Sequence, residues 1–141
     1  MKVQKVIEFQ KKYDFEAPVF SATHKSQQAR DTQNKDVYSI DLNSYLIPNS
    51  KTHFIVKVSG ESMIKDNIYD GDLLIVDKSA TAIDGKVVIA SLNDEMTVKR
   101  YRVIDGVTYL FAANDKFLPI EISPFWQFEI QGVVKHVIRN V

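Results

Sequence analysis

The chain has 141 residues, 45% of them hydrophobic and 26% charged, which is enough to bury the core of one domain and excludes wholesale disorder. Lys and Arg total 18, as do Asp and Glu, so the formal net charge is zero, which argues against a domain that grips nucleic acid through bulk electrostatics. Without cysteine there is no disulfide, thiolate metal site or cysteine nucleophile. No apolar run is long enough to cross a bilayer, and Met1-Lys2-Val3-Gln4-Lys5 lacks a secretory apolar stretch; a soluble cytoplasmic protein is expected.

Along the chain, Val3, Val6, Ile7 and Gln10 fall near helical spacing and predict a short helix over residues 2 to 12. Residues 21 to 36 carry almost no large apolar side chain and read as a mobile arm. Asp41-Leu42-Asn43-Ser44-Tyr45-Leu46-Ile47 predicts a capped helical turn before Pro48.

From Thr52 onward the pattern turns to β. Strands are expected at Phe54 to Val58, Leu73 to Val76, Lys86 to Ala90, Met96 to Tyr101, Val107 to Phe111 and Phe128 to Ile138. Asp70-Gly71, Asp84-Gly85 and Asp105-Gly106 punctuate them as turns. Many short, closely spaced strands imply one curled, mostly antiparallel sheet.

Two residues carry the chemistry. Ser62 sits in Val58-Ser59-Gly60-Glu61-Ser62-Met63, where Gly60 allows a sharp turn and close approach of backbone. Ser62 is expected to open the turn Ser62 to Asp66 with its hydroxyl exposed, and the backbone N–H groups of Glu61 and Ser62 are candidates for an oxyanion hole. Alternation puts Glu95, Thr97, Lys99 and Tyr101 on one strand face. A neutral Lys99 would accept the Ser62 proton, which requires burial without a carboxylate partner.

Other groups read as structural. Asp70, Asp72 and Asp77 are expected to be turn residues and solvated strand ends rather than a metal site, because no histidine joins them at ligand spacing. No metal or cofactor is called for. His24, His53 and His136 are scattered and read as surface or packing residues. Trp126 and the phenylalanines are expected to fill the core or a subunit interface rather than to stack bases.

Taken in order, Phe54 to Met63, Tyr69 to Asp77, Gly85 to Ala90 and Glu95 to Arg100 resemble the LexA/UmuD self-cleaving peptidase family. Ala113-Asn114-Asp115-Lys116-Phe117-Leu118-Pro119-Ile120 and Gly132-Val133-Val134-Lys135-His136-Val137-Ile138-Arg139 continue the resemblance, which covers about residues 38 to 140. Ile40-Asp41-Leu42-Asn43-Ser44-Tyr45-Leu46-Ile47 is similar to the UmuD branch, and about 37 residues ahead of it are too few for a helix-turn-helix domain plus linker.

The resemblance implies an N-terminal arm, 1–37, and a peptidase domain, 38–141. It implies Ser62 as nucleophile and Lys99 as general base, cutting the arm under stimulation by the RecA–single-stranded-DNA filament. It implies a homodimer that joins a UmuC-like Y-family DNA polymerase in SOS translesion synthesis, with no sequence-specific DNA binding and no membrane attachment. The family's scissile bond usually joins Ala or Cys to Gly, yet no glycine precedes Gly60. Position points to Ser26-Gln27, with Ala22-Thr23 and Ala29-Arg30 as alternatives and Ala17-Pro18 a poor one. The alternative is a non-cleaving, constitutively UmuD′-like polymerase-binding subunit. A signal-peptidase-type protease is disfavoured by the missing membrane anchor, and a repressor by the missing DNA-binding helices.

Overall fold

The protein is described here from a computed structural model, covering residues 1–7, 16–19 and 38–141. The expected mobile arm at 21 to 36, and the bonds at Ser26-Gln27, Ala22-Thr23 and Ala29-Arg30, lie outside the described residues.

Two compact units divide the chain: Met1–Phe9 with Ser50–Val141, and Gln10–Asn49. In the second, β2 (Glu16–Val19) pairs antiparallel with β3 (Tyr38–Asp41), so Ala17-Pro18 lies opposite Ile40 and Ser39. The expected capped turn is there as α1 (Leu42–Leu46). Asp41 supplies the cap, its carboxylate accepting from the backbone N–H of Asn43 at 3.0 Å and the Ser44 hydroxyl at 2.9 Å.

The first unit is an antiparallel sheet of eight strands that closes on itself. In chain order these are β1 (Lys2–Ile7), β4 (His53–Ser59), β5 (Leu73–Asp77), β6 (Val87–Leu92), β7 (Glu95–Ile104), β8 (Val107–Phe111), β9 (Ile120–Glu121) and β10 (Phe128–Ile138). Their order in space is β1-β4-β5-β10-β6-β7-β8-β9, and a further pairing of β1 with β7 completes a six-stranded ring. The mostly β, curled antiparallel fold expected from the sequence is the observed one. All six expected strands are present, those at 107–111 and 128–138 with the expected bounds.

The strand read from Lys2 to Ile7 corrects the helix expected over residues 2 to 12; residues 8 to 12 lie outside the description. Six residues could form fewer than two helical turns, whereas here their backbone groups bond to β4, pairing Val3 with Val58 and Val6 with Val56. β1 is thereby the stave that closes the ring.

Turn chemistry fixes register. Asn93-Asp94 and Asp105-Gly106 link β6 to β7 and β7 to β8 as two-residue hairpins, every one of the four residues at positive φ, as the right-handed twist of paired strands requires. Gly132 answers a different need. A Cβ there would lie 2.6 Å from Val76 Cγ1 and 2.9 Å from the Asp77 carbonyl, so only glycine lets β10 lie this close to β5.

The core has two parts. Met1, Val56, Val58, Met63, Ile68, Leu74, Val76, Ile89 and Val98 form the larger, and Val88, Ala90, Leu110 and Val133 the smaller. Alternation along β7 sends Val98 to the first. Phe117, Phe125 and Trp126 are exposed, which corrects the core half of that expectation and leaves its other half, a subunit interface, as it stood. The sequence places them in polar loops where no strand partner covers them.

Asp72 is also corrected. It is buried, not a solvated strand end, because Arg139 reaches it from the end of β10 with Nε 2.7 Å from Oδ1 and Nη2 2.6 Å from Oδ2. Tyr69 N–H donates to the same carboxylate at 2.8 Å, and the guanidinium lies over the Tyr69 ring. The Arg139 hydrogen bonds hold the Asp72 carboxyl below the usual range. No helix among the described residues is long and apolar enough to cross a membrane.

Candidate active site

Ser62 follows β4 through a bend that only glycine adopts readily: Gly60 has φ +103°, and its N–H donates to Asp70 at 2.9 Å. The chain then tightens into a single 3-10 turn, Ile64–Asp66. Lys99 lies near the middle of β7, paired opposite Val88 of β6. Closure of the ring brings the two together, with Lys99 Nζ 2.8 Å from Ser62 Oγ.

Both are buried, Ser62 at 1% exposure and Lys99 at 7%. The hydroxyl was expected to be exposed. It is covered because Met1 sits directly on it, the α-amine donating to Ser62 Oγ. Among the described residues Lys99 pairs with no carboxylate, and the Phe117 ring lies 6.0 Å from its Nζ. Burial lowers the Lys99 pKa, and its hydrogen bond with the Met1 amine opposes part of that shift. Burial also lowers the Met1 amine, from 8.0 to about 5, with the nearby Lys99 adding to the effect. Two cations cannot share this dry space, so the weaker base gives up its proton.

The backbone N–H groups of Glu61 and Ser62 find no acceptor among the described residues. Their peptide is nevertheless anchored. Asn114, itself buried, donates from Nδ2 to the Glu61 carbonyl at 2.9 Å, and its Oδ1 accepts from Lys116 N–H at 3.0 Å. Lys65 N–H donates to the neighbouring Ala113 carbonyl at 2.8 Å. Because the Glu61 carbonyl and the Ser62 N–H belong to one planar peptide, Asn114 fixes the direction in which that N–H points.

Asn114 and Met1 are the parts that residue-level reasoning passed over. The loop Ala113 to Ile120 carries a family resemblance but no chemical motif of its own, and neither does an N-terminal methionine. The three acidic residues considered for metal do not converge, and the described residues hold no metal-binding cluster. Asp77 instead accepts from Ser79 N–H at 2.8 Å and faces His53, whose Nε2 lies 3.8 Å from Oδ2. His53 thus reads as packing, as expected.

The chemistry available is that of a hydroxyl next to an uncompensated, desolvated amine. A neutral amine so placed can accept a hydroxyl proton, and the two backbone N–H groups have no acceptor among the described residues.

A family model described as Peptidase S24-like matches residues 18–135. A LexA repressor of Histophilus somni (strain 2336) is 39% identical over 105 residues, covering 73% of this chain and 49% of that protein. LexA repressors of Actinobacillus pleuropneumoniae serotype 7 (strain AP76) and of Syntrophotalea carbinolica are 43% and 44% identical over 93 and 91 residues. These cover 65% and 64% of this chain, and 44% and 45% of the relatives. The chain therefore spans about half the length of the curated relatives it matches. With most of its length matched by that model and a mostly β fold consistent with it, this chain belongs to the Peptidase S24-like family.

Proposed function

We propose that the chain is a Ser–Lys peptidase of the LexA/UmuD kind that cuts a bond in its own N-terminal arm, residues 1–37. Ser62 is the nucleophile, Lys99 the general base, and the N–H groups of Glu61 and Ser62 receive the oxyanion. The observation that carries this reading is the 2.8 Å approach of Lys99 Nζ to Ser62 Oγ inside a site where Lys99 is buried and has no carboxylate partner among the described residues.

In this reading Ser62 gives its proton to neutral Lys99 as Oγ bonds to the scissile carbonyl carbon. The carbonyl oxygen takes the negative charge and is held by the two backbone donors. When the carbon–nitrogen bond breaks, Lys99 returns the proton to the leaving amine. A water then gives its proton to Lys99, attacks the ester and frees Ser62.

At the level of the whole protein, we read a UmuD-like SOS protein of the bacterial cytoplasm. It forms a homodimer, is stimulated by the RecA–single-stranded-DNA filament, and serves a UmuC-like Y-family polymerase. The similarity of Ile40 to Ile47 to the UmuD branch supports this. The exposed Leu118, Phe125 and Trp126 offer apolar surface for a protein partner, at 86%, 93% and 41% exposure. β10 has β5 on one edge and β6 on the other, so it offers faces but no free edge to a partner.

A second reading is a non-cleaving, UmuD′-like binding subunit. It is favoured by the absence of any glycine before Gly60 and by the Met1 amine lying on Ser62. Intact-mass measurement at mildly alkaline pH, with and without RecA filament, separates the two. Filament-stimulated loss of an N-terminal piece from wild type but not from Ser62→Ala is expected; an unchanged mass under all conditions leaves the binding-subunit reading.

A further inference from the structure

Ser62 opens a very short turn, and a turn this short keeps its place only through contacts from outside. Ile64–Asp66 is a single 3-10 turn, closed by the Asp66 N–H on the Met63 carbonyl and the Asn67 N–H on the Ile64 carbonyl, each at 3.0 Å. Two bonds over one turn give it little stability of its own. Its front is anchored: Met63 is sunk in the larger core cluster, Asn114 bonds the Glu61 carbonyl, and Lys65 N–H bonds the Ala113 carbonyl. Just past its end, the Asn67 carbonyl accepts from Arg139 Nη2 at 2.7 Å. Asp66 itself is met by Arg100.

Arg100 follows Lys99 on β7, paired opposite Val87 of β6 and Phe111 of β8. Neighbours on a strand point to opposite faces, so Lys99 and Arg100 leave β7 on different sides. They nevertheless reach the two ends of one segment, 62–66. Arg100 Nη2 lies 2.7 Å from Asp66 Oδ2. That oxygen is buried and receives no directed hydrogen bond among the described residues, so the charge contact with Arg100 is what answers it. The other arm of the fork, Nη1, donates to the Gly85 carbonyl. Gly85 is in turn tied to β7, its N–H donating to the Tyr101 carbonyl at 2.8 Å. A planar guanidinium held at one nitrogen presents the other in a fixed direction, which a lysine ammonium does not do.

The geometry points to Arg100 and Asp66 as a positioning pair for the Ser62–Lys99 dyad. Neither touches the reacting atoms. One strand supplies both the base and the clamp that holds the nucleophile's turn against it, so the 2.8 Å approach of Lys99 Nζ to Ser62 Oγ is set from within β7. Drift of the turn by about 1 Å would take that contact out of hydrogen-bond range. The inference rests on the Ser–Lys peptidase reading and adds to it the residues that hold the dyad together.

Its test uses a reaction of Ser62 that does not depend on which bond of the arm is cut. With diisopropyl fluorophosphate, Ser62 Oγ bonds to phosphorus as fluoride leaves, and the hydroxyl proton passes to Lys99. Labelling is followed by intact mass, beside self-cleavage with RecA filament, with Ser62→Ala as the blank. Asp66→Ala, and Arg100→Lys, which keeps the charge but not the fork, are each expected to slow labelling at least about ten-fold, and cleavage with it. The double variant should be no slower than the slower single, as for two halves of one contact. Arg102→Gln is the control. It breaks a comparable ion pair on the same strand, Arg102 Nε to Asp84 Oδ1 at 2.8 Å, without touching the turn, and should stay within about two-fold of wild type whatever its melting temperature. Single variants that label at the wild-type rate, or that slow no more than Arg102→Gln does, overturn the positioning pair and leave the peptidase reading standing. A double variant slowed by the product of the two single effects overturns it too. A wild-type Ser62 that is neither labelled nor needed for any cleavage overturns both.

Discussion

The α-amine of Met1 and the side-chain amine of Lys99 converge on one acceptor, Ser62 Oγ, so two groups that are ordinarily cations share one buried oxygen. Burial and the mutual repulsion settle the conflict by taking the proton from Met1, whose pKa falls to about 5. Glu95 pulls the other way, and Lys2 and Lys99 reinforce the fall.

Stability therefore depends on pH in a stated direction. The unfolded amine titrates near 8.0 and the folded one near 5, so between these values the unfolded chain binds more protons. The contribution of this group rises with pH from about 5 to about 8, and its penalty is complete below 5. Thermal melting of the free chain against one acetylated at Met1, followed from pH 5 to 8.5, is expected to show a steeper rise for the free chain. Parallel curves would remove the assignment.

Lys99 is the opposite of a stabilising charge. It is buried with no carboxylate partner among the described residues, and burial lowers its pKa. Lys99→Met keeps the stem's apolar volume and drops the charge, so the melting temperature should hold or rise. Self-cleavage should fall at least about a thousand-fold. In wild type the rate should climb with pH as more Lys99 becomes neutral, and Lys99→Arg should be inactive throughout because guanidinium keeps its proton. A Lys99→Met protein that melts well below wild type would contradict this account.

Asn114 is expected to act by positioning. It bonds the Glu61 carbonyl, so its loss lets the peptide bearing the Ser62 N–H turn. Asn114→Ala should lower the cleavage rate about ten- to hundred-fold, in line with a loosened oxyanion donor. The pH profile, which reports Lys99, should keep its midpoint. A shifted midpoint would mean that Asn114 acts through Lys99 instead.

The Arg139–Asp72 pair should carry stability rather than activity. Arg139→Ala leaves a buried carboxylate without its cation and should lower the urea midpoint of unfolding. Since the Asp72 pKa is lowered in the fold, the wild-type advantage should persist above the carboxylate range and vanish as pH falls through it. An Arg139→Ala difference that survives at pH 2 would point to lost packing on Tyr69 instead.

Much of this could be read from sequence because it is local. Alternating apolar residues specify strands whatever their partners, Asp105-Gly106 takes positive φ from its own chemistry, and Asp41 caps the helix that begins one residue later. The order of motifs around Ser62 and Lys99 named the pair. Distant partners decided the rest. Val3, Val6 and Ile7 suit a helical face as well as a strand, and the choice fell to β4, about 50 residues away, whose edge needed a neighbour. Ser62 lost its exposure to Met1, 61 positions earlier, and Asp72 lost its solvent to Arg139, 67 positions later. Residue spacing encodes which face a side chain takes, but only closure of the ring decides what lies against that face, because strand pairing is set by contacts between segments far apart in the chain.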